Sequence, residues 1–458
     1  MQPISKLRFE ALAGYARQPQ TVVYSEELAW FEHGGERVLG IVIRDRTDGD
    51  YSGVVFGRDE RLRYRWTGMT GFVSSERRAK ALLRPAMEQA AMAADEEHHQ
   101  GDGHGAPADF FTPVVATERL NANFSGLVDL EGFSPARGII EPMMRWYDDV
   151  DGNFVEQFQT TAFDARMWEL YLFATFVEAG LALDRTKATP DFITWGLAGQ
   201  AAIEAVTVNP TRDKRGAVVP PPEPETEEER WAFLREYMPI KFGSALYSKL
   251  TKEYWAKPHV RGLPFALAIQ DFSSPGSMVF TRSALQVYLY GFDHDWRHEA
   301  DGTLVIEPRR VERHCWGEKE IPSGFFFLPG SENVSAVIFS NSGTVSKFNR
   351  MGMIAGFGSP RVQMIRQGMA INLDPNASAP TPFRHQVNDP AYRETWVEGL
   401  DVFHNPRALI PFPRELLPGA AHLRLADDGR ILATVPDWHP LGSRTLITVP
   451  DDSQPARA

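Results

Sequence analysis

Phe163-Asp-Ala-Arg-Met-Trp-Glu169-Leu-Tyr-Leu-Phe-Ala174, Pro190-Asp191-Phe192 and Ala201-Ala-Ile-Glu204-Ala-Val-Thr-Val208 are the stretches on which the reading of this chain turns. In and beyond the first, Leu170, Phe173, Ala174, Val177 and Leu181 recur at helical spacing, with Gly180 near the end. That pattern predicts a helix over about 162–180. The third is an apolar run interrupted by a single acid. An ionised carboxylate inside a strand core costs several kcal/mol unless it is paired or binds a cation. Asp191 follows a proline and stands 13 positions before Glu204. The two acids therefore point to a divalent-metal site on adjacent strands.

Working outward, strands are expected around 181–184, 191–195 and 201–208. A Pro- and Glu-rich connector follows at 218–229, too polar to pack a core and expected to be a solvated loop. Its acids then open a helix N-terminus, where the macrodipole favours them. The helix after Pro239 is amphipathic. Phe242, Leu246, Tyr247, Leu250 and Tyr254 fall on one side, and Lys241, Ser244, Ser248, Lys249 and Lys252 on the other. Gly262-Leu-Pro-Phe-Ala-Leu-Ala-Ile269 reads as a strand buried on both faces. The order over residues 139–272 is helix, three strands, helix, strand.

That order, with an acid on the first helix, Pro-Asp opening one strand and Glu within the next, resembles the PD-(D/E)XK nuclease superfamily over residues 163–271. The resemblance implies a restriction-endonuclease-like mixed sheet flanked by helices. It implies Asp191 and Glu204 as catalytic acids holding Mg²⁺ or Mn²⁺, with Glu169 as a further metal ligand. The family's lysine belongs two positions after the second acid, where this chain has Val206. Some members of the superfamily supply that lysine from the following helix, and others have lost activity. Lys241, Lys249 and Lys252 lie within an arc of about 80° on the helix here, by the 100° step. Lys241, near the helix start, is taken as the catalytic cation, and Lys249 and Lys252 as nucleic-acid contacts.

The rest of the chain frames this unit. Thr21-Val-Val-Tyr24, Arg37–Ile43 and Gly53–Phe56 read as strands of an antiparallel meander, followed by a helix over 74–99 capped by Ser74 or Ser75. Together they predict a β-rich N-terminal region over 1–125. Residues 275–458 form a mixed, mainly β C-terminal region. Within it Ser340-Asn-Ser-Gly-Thr-Val-Ser-Lys347-Phe-Asn-Arg350 is a polar turn whose Lys347 and Arg350 are candidates for phosphate-backbone contact. Glu96-Glu-His-His99 with His104 is a weaker metal candidate, because adjacent histidines diverge on a helix.

Composition limits the function classes. The chain has 458 residues and a net charge of −12, which argues against a broad nucleic-acid coat but not against a local basic groove. No apolar run approaches ~18 residues, so no membrane span is expected. A single cysteine, Cys315, excludes an internal disulfide and fits a reducing, cytoplasmic setting. The leading expectation is metal-dependent phosphodiester hydrolysis of DNA or RNA, and a homodimer is compatible with it. The alternatives are a nuclease-fold binding module without activity, and a structural protein whose acids cap turns.

Overall fold

The computed structural model describes residues 1–93, 98, 100–102, 105–147, 149, 152–184 and 186–450. Its centre is an eight-stranded mixed sheet flanked by helices, with β-rich regions on either side in sequence. Helix α1 (Phe163–Glu178) leads into β1 (Ala182–Asp184), β2 (Phe192–Gly196) and β3 (Gly199–Val208). Helix α2 (Met238–Leu250) crosses back to β4 (Phe265–Asp271). Four more strands complete the sheet: β5 (Ala336–Ser340), β6 (Leu400–His404), β7 (Ala421–Leu425) and β8 (Ile431–Thr434). The helix, three strands, helix, strand order is present with boundaries within a few residues of those expected.

The eight strands lie side by side in sequence order. The first three form an antiparallel meander, and β4 and β5 run parallel to β3. A parallel neighbour needs a crossover, and α2 supplies it between β3 and β4. Alternation along β3 serves both layers. Ala201 and Ile203 pack with Phe163, Trp168 and Phe176 of α1. Ala202 and Val206 pack with Phe242, Leu246 and Leu250 of α2 on the other face. Truncating one such aromatic, Phe176 for example, costs about 3–5 kcal/mol through lost burial and the cavity left behind.

The boundary expected at 272–275 does not separate two sheets. Strand β5 pairs parallel with β4 from Ala266↔Ala336 to Ile269↔Phe339, so the C-terminal region extends the central sheet. An apolar strand such as β4, buried on both faces, leaves an unsatisfied edge unless a further strand pairs with it. The N-terminal region is a five-stranded antiparallel sheet, covered by the helix Glu76–Ala90, whose Ser75 side chain caps its start. Thr21–Tyr24, expected as a strand, is a short helix that precedes the strand Ser25–His33. Local β propensity yields here because no sheet neighbour pairs with it. The 211–219 stretch forms a small exposed ribbon, and Thr226 and Glu229 make a reciprocal cap for the helix that follows. Among the described residues no helix is long and apolar enough to cross a membrane. Of the weaker metal candidate, only His98 lies within the described residues.

Candidate functional site: an acid pair between two cations

Antiparallel register builds the site. Phe192 pairs with Ile203, which sets Asp191 directly opposite Glu204 one position further on. The Asp191 N–H donates to Glu204 Oε2 at 3.3 Å, and Ala205 N–H donates to Asp191 Oδ2 at 2.7 Å. Like charges directly opposite on neighbouring strands repel. Glu204 is also 3% exposed, in a strand flanked by apolar neighbours.

Two cations offset this repulsion. Lys249 of α2 places Nζ 2.5 Å from Glu204 Oε1. Burial disfavours the Lys249 ammonium, but the charge of Glu204, with a further contribution from Asp191, holds its pKa above the ordinary value. On the opposite layer Arg166 of α1 donates from one nitrogen to both oxygens of Glu169, at 2.7 and 2.8 Å. Burial opposes the charge of Arg166 as well. It is outweighed chiefly by Glu169, with Asp191 adding, and the guanidinium stays above its usual range. Tyr147 Oη donates to Glu169 Oε2 at 2.7 Å. Asp191, Glu204 and Lys249 thus meet just before the start of β2, and the charge of Arg166, paired with Glu169 on the α1 layer, is felt by Asp191.

The residues singled out from the sequence divide cleanly. Asp191, Glu204 and Lys249 come together. Lys241, expected as the catalytic cation, does not join them. Its Nζ donates to the Asn209 carbonyl at 2.8 Å and to Thr211 Oγ1 at 2.9 Å. The reason is direction: α2 runs back along β3, so its start sits at the far end of that strand. Lys249, eight residues on, is about 12 Å further along the axis and level with Glu204. Glu169, expected as a metal ligand, is instead engaged by Arg166 and Tyr147. Lys252 is exposed, with its ammonium 5.8 Å from the Tyr254 ring centroid.

Lys347 and Arg350 are not surface contacts for phosphate. They are 0% and 3% exposed and are consumed by Glu394, at 2.7 and 2.9 Å. The helix they occupy, Val345–Ile354, turns that face into the core. Sequence reasoning missed Arg166, Tyr147 and His259. The signal for Arg166 was its position three residues before Glu169 on a helix, a spacing at which opposite charges meet. His259 Nε2 lies 2.8 Å from the Thr189 carbonyl, two residues before Asp191, and has no sequence signature.

A hard cation takes carboxylate oxygens, and magnesium keeps several of its waters. Asp191 and Glu204 fit that demand as a facing pair. Among the described residues no group of three or more His, Cys, Asp or Glu forms a metal cage. A magnesium ion would therefore have two carboxylates here, with water completing its shell. Compared with protein-family models, with curated proteins and with solved structures, the chain matches none.

Proposed function

We propose that this chain is a metal-dependent phosphodiesterase acting on nucleic acid, with a PD-(D/E)XK-like core in which Lys249 takes the place of the lysine missing at Val206. One observation carries the reading: Asp191 and Glu204 face each other across β2 and β3, and a lysine from the crossover helix touches Glu204. The element order from α1 to β4 supports it.

Each residue then has a role. Asp191 and Glu204 would hold Mg²⁺ or Mn²⁺. The bound ion would supply Lewis-acid polarisation of the scissile phosphate and a lowered pKa for a ligated water. Lys249 stabilises the charge that gathers on the phosphoryl oxygens. Arg166 balances Glu169 on the α1 layer, close enough for its charge to be felt by Asp191. Lys252, exposed on the turn after α2, is placed for backbone contact.

A second reading, a binding module of the same fold without activity, is favoured by the ion pairs already closed onto Glu204 and Glu169. Incubation with mixed DNA and RNA in Mg²⁺ or Mn²⁺ separates the two. Cleavage by the wild type that is lost in Glu204→Gln supports the enzyme. Retained metal binding without cleavage supports the module. Absence of both metal binding and cleavage, with Glu204→Gln melting earlier in chelator, returns Glu204 to a purely structural role.

A further inference from the structure

A cavity of about 620 Å³ lies in the C-terminal region, between the three-stranded sheet formed by Gln363–Ala370, Thr381–Gln386 and Pro440–Thr448 and the segment around Phe280. Register places Arg384 and Arg444 on either side of Gln367, each directly opposite it. Cross-strand partners share a face, so two guanidinium groups flank one amide there. Arg384 donates to Gln367 Oε1 at 2.5 Å. The Arg444 side chain, exposed on its strand, makes no hydrogen bond or ion pair to a described side chain. Arg282 also lines the cavity and is held bidentately by Asp401. With Arg282 neutralised by Asp401, two arginines without an acidic partner among the described residues and no lining acid give this space its positive sign, in a chain whose net charge is −12.

Apolar side chains line the cavity as well: Met369 lies two residues beyond Gln367 on the same strand, Phe280 lies on the facing segment, and they are 46% and 48% exposed. Large apolar groups left in water at a cleft mark a ligand surface. A concave surface of one charge sign focuses potential and concentrates counter-charged ligands. Guanidinium groups match phosphate in geometry, and aromatic faces accept planar bases.

We propose that this cavity binds a phosphorylated nucleoside unit, its phosphate on Arg384 and Arg444 and its base against Phe280 and Met369. A free nucleotide and a nucleotide within a strand share that chemistry. The site is distinct from the acid pair, so the proposal stands or falls apart from nucleic-acid cleavage.

The test is binding in chelator by the full chain. Probes are adenosine monophosphate, a 12-nucleotide single strand and inorganic phosphate. The variants are Arg384→Gln with Arg444→Gln, and separately Phe280→Ala. A photoreactive azido-nucleotide, followed by peptide mapping, reports the location. The double variant is expected to weaken nucleotide binding at least tenfold with an unchanged melting temperature, because both side chains are exposed. Phe280→Ala is expected to weaken nucleotide but not phosphate binding. Cross-links are expected within 279–284 or 363–370. Competition by the single strand against the mononucleotide assigns the site to nucleic acid; lack of competition assigns it to free nucleotide. Unchanged affinity in the double variant, cross-links confined elsewhere, or equal binding of phosphate alone overturns the proposal.

Discussion

Lys249 Nζ sits 2.5 Å from Glu204 Oε1, although the two residues are 45 positions apart in sequence. The contact joins a crossover helix to the strand that helix has just left. It gives the buried carboxylate of Glu204 a partner and leaves the neighbouring Asp191 as the carboxylate nearer solvent. A lysine so placed is restrained by its acid yet a quarter exposed, at 26%. In the proposed reading it is the group that meets a phosphate entering beside Asp191.

Lys249→Met and Lys241→Met separate the two candidate cations. Methionine keeps much of the apolar stem and removes the charge. Lys249→Met should lower the cleavage rate by about 10²–10³, the usual cost of one transition-state charge contact. Lys241→Met should leave the rate unchanged, because its ammonium serves Asn209 and Thr211. Steady-state cleavage of a labelled oligonucleotide checks both. Equal losses would return the role to Lys241 or to neither.

Glu169→Gln distinguishes a ligand from a structural acid. The variant keeps an acceptor for Tyr147 but strips Arg166 of its counter-charge. Loss of a charge-assisted bond at a mostly buried site costs about 1–3 kcal/mol. That loss should be the same in chelator and in Mg²⁺, as read by urea unfolding. A deficit that appears only with Mg²⁺ would make Glu169 a ligand after all.

Glu394→Gln should be among the most damaging single changes in the molecule. Glu394 is buried and accepts from Lys347 and Arg350, with Arg366 3.3 Å away. The cations around it hold its carboxyl well below the usual range against a strong desolvation penalty. Removing that charge leaves buried cations undercompensated, at a cost of about 3–5 kcal/mol. Denaturant unfolding reads the loss. A change under about 1 kcal/mol would show that water reaches the cluster.

His404 gives the fold a sensitivity to mild acid. Its Nε2 lies 2.9 Å from His422 Nδ1. Burial, then the neighbouring His422, Arg424 and Arg414, depress its pKa from 6.5 to about 4. Between those values the unfolded chain binds the proton more readily than the folded one. Stability is therefore full above pH 6.5 and falls by about 2–3 kcal/mol as pH drops toward 4. Asp401, held down at about 2 by Arg282 and His439 despite its burial, contributes below that window and not within it. Urea midpoints at pH 7 and 4.5 check this, and His404→Gln should reduce the difference, leaving the part due to His422, whose pKa burial also depresses.

The order of elements from α1 to β4 was legible because it rests on local periodicity. Apolar spacing marks α1 and α2, and short β-branched runs marked β2 and β3. The acid pair was legible for a related reason: a carboxylate in an apolar run needs an explanation wherever the run folds. The burial of Lys347 and Arg350 was not legible, since their polar neighbours resemble a surface turn. Only the approach of Glu394, over forty residues away, accounts for it.

Sequence alone determined the helices and strands from α1 to β4, though not at Thr21–Tyr24, and that Asp191 and Glu204 are costly where they stand. Tertiary structure alone decided which cation answers them, because the direction of a crossover helix ranks its residues along the strand below. It also decided that four strands beyond 275, β5 to β8, join the central sheet, while others form small sheets of their own. Side-chain patterning is set by the nearest few residues, whereas pairing partners and charge partners are chosen across the whole chain by which edges and charges must be satisfied together.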